Sequence, residues 1–153
     1  MTPEENLNRL GLTLPPAPAP VGSYVPAVRT GTLVFVSGQL PMQDGRLLAT
    51  GKVGAEVSLE EAQQCARQAA LNALAVCADA AGGLDAVTRI VRLTGHVASA
   101  AGFTDQAQVM NAASDLVAEV FGNAGRHSRA ALGAAELPLG SPLEVEMIAE
   151  VAG

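Results

Sequence analysis

The stretch from Ser58 to Gly83 constrains this chain most. Ser58 followed three residues later by Glu61 forms a capping box, in which each side chain takes up a backbone N–H that the first helical turn leaves free. From there small apolar residues recur at helical spacing (Ala62, Ala66, Ala69/Ala70, Ala73, Cys77) until Gly82-Gly83 stops the helix near Ala81. A helix whose apolar stripe is alanine sits close to its neighbour, because no long side chain holds the two layers apart. Aromatic residues make up 3% of the 153, with no Trp, so Ala, Val and Leu must build the core. With 49% hydrophobic and 16% charged residues the chain reads as one packed domain.

The other elements follow from changes of period. A short amphipathic piece, Glu4 to Leu10, precedes a proline-rich run from Leu14 to Pro20, and residues 1–20 read as an extended lead-in. Two β-type segments, Tyr24–Arg29 and Thr32–Ser37, flank a turn at Thr30-Gly31. Residues 38–54 read as a long surface excursion with a turn at 43–46. After the first helix, Leu84–Ala98 switches to β-branched alternation. A second helix starts near Thr104/Asp105 and puts Met110, Ala113, Val117, Val120 and Phe121 on one face. Two more strands, Ser128–Ala135 and Leu143–Ala152, flank the turn-rich residues 137–142. The order is ββαβαββ, an α+β chain whose mixed sheet is covered on one face by two helices. The other sheet face then needs a partner, and self-association supplies one.

Several function classes lose support. The net charge of −6 and the single lysine, Lys52, provide no basic stripe for nucleic acid. No phosphate-binding glycine motif occurs, and His96 and His127 stand thirty-one positions apart without a metal-ligand spacing, so neither cofactor nor metal is expected. Cys65 and Cys77, twelve positions apart in the first helix, cannot bridge each other and read as core fillers in a reducing compartment. No apolar run reaches membrane-spanning length, and the expected location is cytoplasmic, away from any membrane.

The chemistry concentrates near the C-terminus. Arg129 follows a helix-to-strand turn among small residues, where a guanidinium could clamp a planar carboxylate. Glu144 and Glu146 are two apart on a strand and share a face, where one could hold or polarise a water. The same residues have plainer readings: an arginine at such a turn also serves as a dipole or salt-bridge partner, and alternating Glu on a strand also serves solvation.

The run from Arg129 through Leu137-Pro138 to Leu143-Glu144-Val145-Glu146 and Ile148-Ala149 resembles the signature of the RidA/YjgF family, with matching spacing throughout. Tyr24-Val25-Pro26-Ala27-Val28 and Leu33 to Pro41 resemble its first hairpin, and Asn111 matches its helical Asn. The resemblance implies a chorismate-mutase-like fold and a homotrimer with clefts between subunits. It implies cofactor-free hydrolysis of reactive 2-imino acids to 2-keto acids and ammonia, with Arg129 on the carboxylate, Glu144 placing water, and Tyr24, Ser37 and Asn111 completing the cleft. Tyr24 can equally be a core aromatic, Ser37 a turn cap and Asn111 a helix-surface residue. Arg126 and His127 have no assigned role. The chain departs from the family where Ala131 replaces a frequent Cys, so no thiol takes part, and where the segment 94–104 looks longer than usual. The rival functions are a non-catalytic trimer that binds a small carboxylate, and an endoribonuclease.

Overall fold

The structure, a computed structural model, describes residues 1–153. Strand β1 (Ala27–Thr30) and strand β2 (Leu33–Gln39) form the opening hairpin, and Gly31 adopts φ +60° in the two-residue turn. The first strand begins later than the sequence suggests. Pro26 has no N–H to give a ladder, and its carbonyl instead accepts from the Ser37 amide at 2.8 Å.

The segment 38–54 is less of a surface excursion than expected. Strands β3 (Met42–Gln43) and β4 (Arg46–Leu47) make a small ribbon around Asp44 and Gly45, both at positive φ, while Leu40, Pro41 and Val53 are buried. The fully buried Asn72 amide ties this segment down, donating to the Leu40 and Met42 carbonyls at 3.0 and 2.9 Å.

Helix α2 (Leu59–Ala81) starts on the predicted Ser58–Glu61 capping box and ends on left-handed Gly82. Its alanine stripe is entirely buried. A single 3-10 turn, Leu84–Ala86, drops Leu84 into the core before strand β5 (Val87–Ala98), where a strand from Leu84 was expected. Helix α3 (Gln106–Phe121), strand β6 (Ser128–Ala134) and strand β7 (Leu143–Val151) follow, with α3 crossing between the parallel pair β5 and β6.

The five-stranded sheet has the order β1-β2-β7-β5-β6 and is antiparallel apart from β5/β6. In β7, Leu143, Val145, Met147, Ala149 and Val151 are buried toward the helices, while Glu144, Glu146, Ile148 and Glu150 point the other way. This other face is uncovered and exposes Val28, Phe35 and Leu132.

The N-terminus corrects the expected extended lead-in. Helix α1 (Pro3–Arg9) has its own capping box on Thr2 and Glu5 and buries Leu7; Asn6 donates to the Val120 carbonyl at 2.9 Å. Only the proline-rich part after it is extended. The segment 94–104 is also not a long connection, since β5 runs to Ala98 and leaves a short link from Ser99 to Asp105.

Candidate functional site

Arg129 pairs in register with Leu93, whose side chain is fully buried toward the helices, so Arg129 projects to the helix side of the edge strand β6. There it meets α3. Its Nη1 donates to Asn111 Oδ1 at 2.9 Å and Ser114 Oγ at 3.1 Å, and its Nη2 to the Ala107 carbonyl at 3.4 Å. Asn111 and Ser114 are one helical turn apart, which places both beside the strand. All three acceptors are neutral. The ion pairs of the molecule are Lys52–Glu136, Arg67–Glu119 and His96–Glu146, so Arg129 is fixed in place without its charge being cancelled. Three of its five donors are used, and two remain for a ligand.

Glu144 lies elsewhere. It is half-buried on the uncovered face, opposite His96 in register, and β5 separates its strand from β6. Its carboxylate rests on Gly38, where the pairing of β2 with β7 slips and the strand bulges. A Cβ on Gly38 would stand 2.0 Å from Glu144 Oε1, so only glycine admits the carboxylate there. Burial raises the Glu144 pKa above the ordinary carboxylate range; His96 opposes the shift and Glu146 reinforces it. A carboxyl raised in this way is better matched to proton transfer near neutral pH than an exposed one.

Ser37 and Tyr24 lie near Gly38 and make no hydrogen bond to Glu144. Ser37 Oγ donates to the Val25 carbonyl at 2.7 Å, seating the segment ahead of β1, and its lone pairs face away from that bond. The Tyr24 hydroxyl accepts from the Val21 amide at 3.2 Å, its ring is exposed, and it lines a small depression together with Gly38 and Gln39. The five candidates therefore do not gather: they fall into two groups, Arg129 bonded to Asn111 on the helix side of the sheet, and Glu144 on its uncovered face against Gly38, with Ser37 and Tyr24 near Gly38 but not hydrogen-bonded to Glu144.

Four further residues enter the two groups. His127 joins the first, with Nδ1 2.6 Å from the Gly125 carbonyl and Nε2 2.9 Å from Ser114 Oγ. His96 Nε2 meets Glu146 Oε2 at 2.5 Å beside Glu144. The spacing of Asn111 and Ser114 on one helix face was a readable signal, but without the α3–β6 neighbourhood it had no meaning. Cys65 and Cys77 are buried, which pushes both thiols up to about 11 and keeps them protonated and unreactive at neutral pH.

A family model described as "YjgF/chorismate mutase-like, putative endoribonuclease" matches residues 4–151. Protein TCP17 of Trypanosoma cruzi is 45% identical over 147 residues, which cover 95% of this chain and 92% of that protein. A crystal structure of a protein from Shewanella oneidensis, described in the same endoribonuclease terms, superposes with a TM-score of 0.95 at 37% identity, covering 99% of this chain and all of the other. TdcF of Escherichia coli, solved with bound serine, has a TM-score of 0.65 and 27% identity, covering 89% and 94% of the two chains.

Proposed function

The chain belongs to the YjgF/chorismate mutase-like family, and from that premise we propose that it hydrolyses 2-imino acids to 2-keto acids and ammonia in clefts shared between the subunits of a homotrimer. The observation that carries this reading is the state of Arg129, which is held by three neutral acceptors and keeps two donors and its full charge for a ligand. A planar carboxylate matches those donors in geometry and charge. The serine bound to TdcF is a small carboxylate of the same class.

In the proposed reaction Arg129 fixes the substrate carboxylate and so orients the adjacent C=N carbon. Glu144 takes a proton from water as the oxygen attacks that carbon and passes it to the nitrogen, giving a carbinolamine. The carbinolamine hydroxyl then gives up its own proton through Glu144 to the nitrogen, which leaves as ammonia as the C=O bond forms. An imine carbon is already electrophilic, so orientation and proton handling are the main demands on the protein.

Arg129 and Glu144 sit on opposite sides of the sheet, and this supports the shared cleft. Arg129 lies at the free edge β6, and the uncovered face that bears Glu144 also exposes Phe35 and Leu132. A neighbour's edge set against this face would join the two groups and cover the apolar surface in one step. With a net charge of −6 the chain offers little attraction to RNA, which weighs against the ribonuclease description attached to its relatives.

The test generates 2-iminopropanoate or 2-iminobutanoate in situ and follows its loss. Wild type is expected to accelerate hydrolysis. Arg129→Ala should lower kcat/KM by roughly 10²- to 10³-fold, the loss of two charge-assisted hydrogen bonds. Keto-acid binding without any acceleration by wild type would leave a carboxylate-binding protein and overturn the deaminase reading.

A further inference from the structure

We propose that Ser114 and His127 form a brace that fixes the orientation of Arg129, so that they act as positioning residues for carboxylate binding; this rests on the reading of Arg129 as the substrate clamp. The hydrogen-bond roles follow from what each atom can do. The Gly125 carbonyl can only accept, and it lies 2.6 Å from His127 Nδ1, so Nδ1 carries the ring proton. In the tautomer with a single proton on Nδ1, Nε2 presents a lone pair 2.9 Å from Ser114 Oγ and takes the serine proton. With its proton committed to the imidazole, the Ser114 oxygen has lone pairs free to accept from Arg129 Nη1 at 3.1 Å.

The far end of this chain is rigid. Gly125 closes the 3-10 turn Gly122–Gly125 and is buried against α3, where a Cβ would stand 2.6 Å from the Val117 carbonyl. Its carbonyl is therefore a fixed anchor. A free serine on a helix can return its hydroxyl to a carbonyl one turn back, and the His127 lone pair competes with that alternative. The result is a continuous line of bonds from a locked backbone carbonyl to a guanidinium that no carboxylate of the chain neutralises. Asn111 holds the same Nη1 from the other side at 2.9 Å, so the brace and the amide together set the plane of the guanidinium fork.

The experiment measures calorimetric binding of 2-oxobutanoate to the full chain in wild type, Arg129→Ala, His127→Phe, Ser114→Ala, Ser114→Thr and the Ser114→Ala/His127→Phe double variant, with thermal melts alongside. His127→Phe and Ser114→Ala are each expected to weaken binding roughly three- to tenfold, the scale of one lost hydrogen bond. Ser114→Thr restores it, and the double variant is no weaker than Ser114→Ala, because both residues act through one hydroxyl. In turnover the single variants raise KM and leave kcat within about twofold, since the carboxylate is held alike in ground and transition states. Unchanged binding in His127→Phe, or losses that add in the double variant, overturns the brace while the clamp stands. Should His127→Phe fail to fold, Ser114→Ala binding as tightly as Ser114→Thr overturns it instead. Wild type that binds no keto acid, or Arg129→Ala that binds like wild type, overturns both the brace and the clamp.

Discussion

Gly38→Ala separates the candidate chemistry from the stability of the fold. The backbone at Gly38 is not left-handed, so alanine is sterically allowed, and removing a glycine from the unfolded ensemble offsets much of any native cost. The new methyl meets mainly Glu144, at 2.0 Å from Oε1, 2.7 Å from Cδ and 2.9 Å from Cγ. Ordinary contact begins at 3.4 Å, so the carboxylate must retreat by about 1.4 Å, which a flexible glutamate end on a half-open face can do. Proton transfer from an attacking water to Glu144 does not tolerate that displacement, and a misplacement of about 1 Å costs on the order of 10²-fold in rate. Gly38→Ala should therefore melt within about 1 kcal/mol of wild type and lose roughly 10²-fold in kcat on 2-iminobutanoate. A Gly38→Ala/Glu144→Gln double variant should be no slower than Glu144→Gln alone. A variant that keeps wild-type kcat would refute a catalytic part for Glu144, and one that unfolds would refute the claim that the carboxylate can yield.

Glu144→Gln is expected to abolish most turnover and yet raise the melting temperature at neutral pH. The folded pKa of Glu144 is raised, so the group's favourable contribution is complete below the ordinary glutamate value and lost as pH rises through the folded value. Melts compared at neutral pH and at about pH 3.5, below the usual glutamate pKa, should show the advantage of Gln disappearing at the acidic end. In β5, Gly95 faces the fully buried Met110, and a Cβ would lie 2.2 Å from its Sδ. Gly95→Ala should cost about 1–3 kcal/mol in denaturant unfolding. Cys65 and Cys77, buried with thiols near 11, should resist a thiol reagent in the native protein and react on denaturation; fast native labelling would contradict their placement.

Much of the architecture was legible in local pattern. The Ser58–Glu61 box, the alanine stripe, the Gly82 stop and the alternation in β7 are each written within a few residues, and each sits in the structure where the pattern puts it, while the hairpin turn falls one residue later than expected, on Gly31-Thr32. Local pattern failed where a distant contact decided the outcome. Residues 3–9 are too few to hold a helix alone; α1 forms because Leu7 is buried and Asn6 reaches Val120. The loop 38–54 folds inward because Asn72, thirty residues away, offers an amide to its carbonyls.

The candidate residues divide along the same line. Sequence spacing alone put Glu144 and Glu146 on one strand face, since a strand repeats every two residues, while Arg129 was singled out by the resemblance of the C-terminal run to the family signature. It could not tell that β5 runs parallel to β6 and antiparallel to β7, and this topology is what sends Arg129 toward Asn111, Ser114 and His127 while turning Glu144 to the uncovered face beside Gly38. Helix caps, turns and periodicity act over a few bonds and are fixed by the residues themselves. Which charges meet, and which stay apart, depends on how strands far apart in the chain are ordered side by side, and only the folded sheet settles that.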